Sequence, residues 1–225
     1  MCLVGIKLSG VKMNNEVIDL VADTARRYRS GFGYAFKREG ESIVHFNKKV
    51  NFKPSDVANE LVALDLQDED ELIWHGRAAT HGDVTDSNAH PYIIGEVSDE
   101  NNRLTTKGSV AINDGKFHGV FMHNGIFRHY ETENPFLSDT YNFGVTVLND
   151  KEVIDLIKND PITYSRKYSD YGWARLAFLF PDVGIRYTSD SGEWIEDEDT
   201  GLLFSNSGYG VSKLYDIGGK TYQSI

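Results

Sequence analysis

The apolar positions change their period along the chain, and those changes mark its elements. Leu3 to Leu8 forms a short, nearly continuous apolar run that reads as a buried strand and breaks at Gly10. Val17, Leu20, Val21 and Ala25 then recur at helical spacing, which predicts a helix running to Tyr28. Gly31 to Lys37 and Ser42 to Phe46 read as paired strands around the Glu39-Gly40-Glu41 turn. Pro54-Ser55-Asp56 opens a second helix, with Ser55 as its expected N-cap and Val57, Leu61 and Leu64 as its apolar face. The acidic stretch from Asp68 to Glu71 reads as a solvated exit from that helix.

Strand patterns dominate the remainder. Leu72 to Thr80 runs into a polar loop, and Phe117 to His123 ends at the turn-prone pair Asn124-Gly125. Asn149 or Asp150 can cap a helix through Lys158, after which Trp173 to Phe180 alternates into a Pro181-Asp182 turn. Ile185 to Thr188, Leu202 to Phe204 and Val211 to Ile217 follow as strands. The pattern predicts an α+β fold, with layered sheets and a few helices outside them.

Composition narrows the function classes. The 225 residues suit one domain, 1–225, and 40% apolar with 25% charged residues is an ordinary globular balance. A formal net charge of −11 argues against a nucleic-acid partner, because neutralising phosphates requires clustered Lys and Arg. The single cysteine cannot form an internal disulfide, and no apolar run approaches the roughly 18–20 residues of a membrane span. Met-Cys-Leu-Val-Gly-Ile is too short and lacks the basic leader of a signal peptide, so the expected location is a reducing cytoplasm, with no membrane contact.

That cysteine is Cys2, and removal of Met1 would leave a thiol and a free α-amine on one residue. With reference pKa values of about 8.5 for the thiol and roughly 7.7–8.0 for the amine, the amine can take the thiol proton near neutral pH. The pair is therefore a self-contained nucleophile and base. Downstream lie His75-Gly76-Arg77-Ala78-Ala79-Thr80-His81-Gly82, Asn88-Ala89-His90-Pro91, His123-Asn124-Gly125-Ile126 and Ser138-Asp139-Thr140. Taken singly, Asn124-Gly125 reads as a hairpin turn, Arg77 as a surface ion-pairing residue and Asp139 as a cap.

Together with Cys2, in this order and spacing, these segments resemble the glutaminase domain of the class II glutamine amidotransferases, a branch of the N-terminal nucleophile (Ntn) hydrolases. The resemblance reaches from Cys2 to about Thr140, and Phe204-Ser205-Asn206-Ser207 looks like a late strand of small stand-alone members. It implies a four-layer α/β/β/α sandwich of two packed antiparallel sheets. It also implies L-glutamine as substrate, hydrolysed by Cys2 through a thioester to glutamate and ammonia, without metal or other cofactor. Asn124 and Gly125 would then donate to the oxyanion, a role whose loss typically costs about 2.7–4 kcal/mol.

A free amino acid needs one cation and one anion at fixed separation, and by resemblance Arg77 takes the α-carboxylate and Asp139 the α-ammonium. Thr80 and His81 would position glutamine and His90 would organise its loop, while Tyr92, Phe127 and Tyr130 flank these loops as pocket walls or, more commonly for aromatics, as core. Two residues depart from the family pattern: Ala78 stands where many members carry a large aromatic, and Leu3 where many carry Gly. These departures keep open a catalytically silent binding or structural module, or an amidase for another amide. The six histidines between His75 and His129 raise a metal hydrolase as a rival, but none forms a zincin-type pair with a Glu. The ammonia-consuming module of larger members is not in this sequence, so an ammonia-accepting partner protein is expected.

Overall fold

The computed structural model describes residues 2–80, 82–95, 104–111, 117–130, 136–167, 174–188 and 194–207. Of the sequence expectations, His81 and the Val211 to Ile217 strand lie outside these residues. Among the described residues the fold is mixed α+β, with two antiparallel sheets and a few helices. No described helix is long and apolar enough to cross a membrane.

β1 (Leu3–Lys7) leads into α1 (Asn15–Arg27), whose first turn is capped by Asn14, its Oδ1 accepting the Val17 N–H at 3.1 Å. β2 (Phe32–Lys37) and β3 (Ile43–Lys49) form the expected hairpin. α2 (Pro54–Leu64) begins one residue earlier than its expected Ser55 cap. Lys53 occupies the cap position without a side-chain bond, and Pro54 starts the helix because its fixed φ suits the first turn and its missing N–H costs nothing there.

β4 (Glu71–Gly76), β5 (Tyr92–Gly95), β6 (Lys107–Ala111) and β7 (Phe117–Gly125) follow. Then come α3 (Asp139–Val147), α4 (Lys151–Asn159, capped by Asp150) and α5 (Pro161–Lys167). β8 (Ala174–Phe180), β9 (Gly184–Tyr187), β10 (Ile195–Glu196) and β11 (Leu203–Phe204) complete the order. One sheet runs β10-β11-β1-β4-β2-β3-β6 and the other β5-β7-β8-β9.

Strand alternation sorts the core into three clusters. Leu3, Phe32, Tyr34, Leu72, Trp74 and Phe204 turn one face of the larger sheet toward the apolar sides of α1 and α2. Phe121, Leu176, Phe178 and Phe180 do the same for the smaller sheet with α3, α4 and α5. The third cluster draws on both sheets: Val4, Ile6, Ala35 and Ile73 meet Val120, Met122, Ala177 and Leu179. By the same alternation Cys2 continues the side of Val4 and Ile6, and Asn124 the side of Val120 and Met122.

The Asp68–Glu71 stretch is not a solvated linker. Lys7, fully buried, donates through Nζ to the carbonyls of Asp68 (2.8 Å) and Asp70 (2.7 Å). The Asp70 carboxylate accepts from the Glu39 N–H (2.9 Å) and the Gln67 N–H (2.8 Å), and Glu71 accepts from the Ile185 N–H at 3.0 Å. A charged run is retained here because each buried donor needs an acceptor.

Gly33 governs how closely the 86–91 loop approaches the larger sheet. A Cβ there would stand 2.0 Å from the His90 carbonyl oxygen and 2.7 Å from that of Asn47, and backbone cannot yield as a side chain can. Gly33→Ala is expected to lower stability by about 1–3 kcal/mol, the usual range for overpacking. A thermal melt of the variant several degrees below wild type would bear this out; an unchanged melt would contradict it.

Candidate functional site

The register of β1 decides what Cys2 meets. Leu3 pairs with Gly76 of β4, which sets residue 2 beside the chain leaving that strand. There the Ala78 N–H donates to the Cys2 Sγ at 3.3 Å, and the thiol lies 3.5 Å from the Ala78 carbonyl. Leu3, one of the two departures from the family pattern, is buried in the cluster beneath α1 and α2.

Burial raises the Cys2 thiol above its ordinary pKa, while the Ala78 N–H and the positive charge of Arg77 oppose that rise and the Asp139 carboxylate adds to it. Three expected site residues therefore act on one another electrostatically. The resting sulfur is a thiol at neutral pH and needs a base to become a nucleophile.

The 205–206 segment clamps this region from the other side. Ser205 donates its N–H to the Val4 carbonyl (2.9 Å), and its Oγ accepts from the Val4 N–H (2.9 Å) and from Asn124 Nδ2 (2.8 Å). Asn206 Nδ2 donates to the Cys2 carbonyl at 2.6 Å, and Arg175 donates through Nη1 to the Ser205 carbonyl. One hydroxyl thus ties β1 in the larger sheet to the end of β7 in the smaller. Asn124-Gly125 is no hairpin turn: the pair closes β7 opposite Arg175 and Ala174. A side-chain amide has two N–H donors, so fixing one on Ser205 orients the other.

Arg77 is buried, and both terminal nitrogens serve backbone carbonyls: Nη1 donates to Asp83 (2.9 Å) and Ser30 (3.5 Å), Nη2 to Gly82 (3.1 Å). The guanidinium therefore ties the end of β4 to the backbone at Ser30, Gly82 and Asp83, and a carboxylate ligand would have to share or displace these bonds. Asn88 reinforces the loop, its Nδ2 donating to the carbonyls of Asp83 (3.0 Å) and Phe136 (2.9 Å). Thr80 lies exposed on the same loop.

Asp139 is the first residue of α3, with Ser138 as its N-cap, so a buried carboxylate sits at the positive end of a helix. Its Oδ2 accepts the Phe127 N–H at 2.7 Å and its Oδ1 the Thr140 hydroxyl at 3.4 Å. Each oxygen keeps capacity for a further donor. Tyr92, Phe127 and Tyr130 pack in or against the smaller sheet's outer cluster, so they support the site as core rather than walling it. Phe127 lies between the His123 and Phe143 rings, 4.0 Å from each centroid.

Among the described residues no group of three or more His, Cys, Asp or Glu is arranged to hold a metal ion. A separate cavity of about 470 Å³ opens between β2, β3, β6 and α2, and none of the expected site residues lines it. Its one carboxylate, Glu60, already accepts from Tyr34 (2.5 Å) and Asn47 (2.8 Å). Ser205 and Asn206, not among the expected site residues, hold Cys2 and Asn124 in place. Their signal in the sequence was the polar Ser-Asn-Ser run directly after the buried Leu202 to Phe204 strand. The sequence matches no protein-family model, and no curated protein shows significant similarity to it.

Ser205→Ala would strand two buried donors, the Val4 N–H and Asn124 Nδ2, at about 1–3 kcal/mol each. Chemical denaturation should show a loss within about 2–6 kcal/mol, and a loss below about 1 kcal/mol would contradict the hydroxyl's role as the tie between the sheets.

Burial also holds the His123 imidazole at a pKa of about 4, against the opposing pull of Asp139. A histidine whose folded pKa is depressed contributes stability above its unfolded value and loses it as pH falls. Stability should therefore decline between pH ~6.5 and pH ~4, by up to about 3 kcal/mol from this group. Denaturation midpoints measured across that window would show the slope, and a flat profile would contradict it.

Proposed function

We propose that this chain is a glutaminase of the class II amidotransferase type, built on a four-layer α/β/β/α sandwich, with Cys2 as its mature N-terminal nucleophile. The observation that carries the reading is the gathering of groups around Cys2: the Ala78 backbone at its sulfur, Asn124 tied to β1 through Ser205, and the charges of Arg77 and Asp139 acting on the thiol.

The chemistry follows from those groups. Cys2 Sγ attacks the carbon of the glutamine side-chain amide while its proton passes to the Cys2 α-amine. The amide oxygen gains negative charge, and the second Nδ2–H of Asn124 and the Gly125 N–H stabilise it. The C–N bond breaks, the departing nitrogen takes the proton from the α-amine and leaves as ammonia, and a thioester remains. Water, deprotonated by the same amine, attacks the thioester and releases glutamate with the regenerated thiol. Because burial keeps the resting sulfur protonated, a base on the same residue is the economical activator.

Asp139 receives the substrate α-ammonium and Arg77 attracts the α-carboxylate, with Thr80 and His81 on the loop that positions glutamine. The ammonia passes to an acceptor carried by a partner protein.

A panel of amides assayed for ammonia release tests this. Cys2→Ala should abolish release from glutamine, and Asn124→Ala should lower kcat by about 10²–10³-fold. Asp139→Ala should raise KM for glutamine at least tenfold while sparing amides that lack an α-ammonium. Release that survives Cys2→Ala, or a wild-type chain inert toward every amide, would remove the reading, the latter in favour of the silent module.

A further inference from the structure

Three histidines that the proposed chemistry does not use gather behind the site. His75 lies near the end of β4, His123 near the end of β7, and His90 two residues before Tyr92, whose β7 partner is Phe121. All three are buried. The His75 and His90 rings lie 3.9 Å apart between centroids, and His90 meets Tyr92 edge-on at 4.9 Å.

Their hydrogen bonding is uneven. His123 Nδ1 shares a proton with the Thr140 hydroxyl at 2.8 Å. Since that hydroxyl donates to Asp139 Oδ1, the consistent assignment puts the proton on His123 Nδ1 and leaves Nε2 a bare lone pair. Among the described residues His123 Nε2 and both ring nitrogens of His75 and His90 have no hydrogen-bond partner. The His123 backbone lies near enough to the His75 ring to favour its proton slightly, yet makes no bond of normal geometry with it.

The surroundings favour neutral rings. Burial comes first for each; His75 also feels His123 and Arg77, and His90 feels His75, His123, Arg77 and Lys48. Lys48 itself is buried, its Nζ 4.8 Å from the Tyr92 ring centroid. The Asp139 carboxylate opposes this preference at His123. A proton added to His75 or His90 would place a new cation near buried Arg77 and, for His90, Lys48 as well, and among the described residues neither ring has a hydrogen-bond partner.

We propose that His75, His90 and His123 form a neutral-only positioning latch, which holds the Arg77 loop and the Asp139 helix start in register and releases both when acid charges the rings. The mechanical links are on both sides. His123 holds Thr140, and through it Asp139; His90 continues the 86–89 segment whose Asn88 binds the carbonyls of Asp83 and Phe136. Arg77 follows His75 by two residues. Resting on the glutaminase reading, the latch would make acid act chiefly on glutamine binding, through the two residues that receive the zwitterion.

The test reads no turnover, so it remains decisive even for a chain that hydrolyses nothing. The wild-type protein is titrated by NMR from pH 7.5 to 4, following the three buried histidine rings and the Phe127 amide, whose N–H reports directly on Asp139 Oδ2. Far-UV circular dichroism follows global unfolding in parallel. The latch predicts rings neutral through pH 6 and a Phe127 amide shift that tracks their charging, at least half a pH unit ahead of global unfolding. In His90→Asn, which removes one charge from the cluster, that local transition should move down by half a unit or more. Rings that charge near pH 6.5, a Phe127 amide that stays fixed while they charge, or one lost only with the whole fold would each overturn the proposal.

Discussion

The register of one five-residue strand fixes nearly everything of interest in this molecule. β1 is hydrogen-bonded on both edges, to β4 with Leu3 opposite Gly76 and to β11 with Gly5 opposite Phe204. A slip of one residue would exchange its two faces, sending Leu3 out of the cluster beneath the helices and Val4 and Ile6 into it. Gly5 reinforces the choice, since any Cβ there would fall 2.1 Å from the Trp74 ring. With the strand pinned, residue 2 lies beside Ala78, on the side that Val4 and Ile6 turn toward the smaller sheet.

From that anchor the site grows by hydrogen bonds that span the two sheets. Ser205 is the economical element, because a single hydroxyl accepts from β1 and from the Asn124 side chain. The same burial that makes these bonds strong raises the pKa of the thiol. In the proposed reaction a thiol so placed would take its base from the α-amine of the same residue, which makes processing of the N-terminus the condition on which that proposal turns.

Much of the fold was legible in the amino-acid pattern. α1, the β2–β3 hairpin, β4, the helix capped by Asp150 and the strands around Pro181 all follow from period and punctuation. α3 was hidden because Thr140, Val145, Thr146 and Val147 favour strand and Gly144 disfavours helix; burial of Tyr141, Phe143 and Val147 beneath the smaller sheet overrides that local preference. Asp68–Glu71 read as solvated because composition does not reveal that Lys7 is buried and needs its carbonyls. Within the site, the residues with reactive groups stood out, while those that hold them did not. The bonds Arg77 makes to carbonyls and the stacked histidines are products of tertiary proximity, which a linear pattern does not encode.

The most direct measurement of the central claim is intact and peptide mass spectrometry of the mature protein after exposure to an electrophilic glutamine analogue. The account predicts a chain lacking Met1 that gains one adduct, located on Cys2, with free glutamine protecting against labelling. Met1 retained on the purified protein, or an adduct that forms equally well in the presence of saturating glutamine, would contradict it.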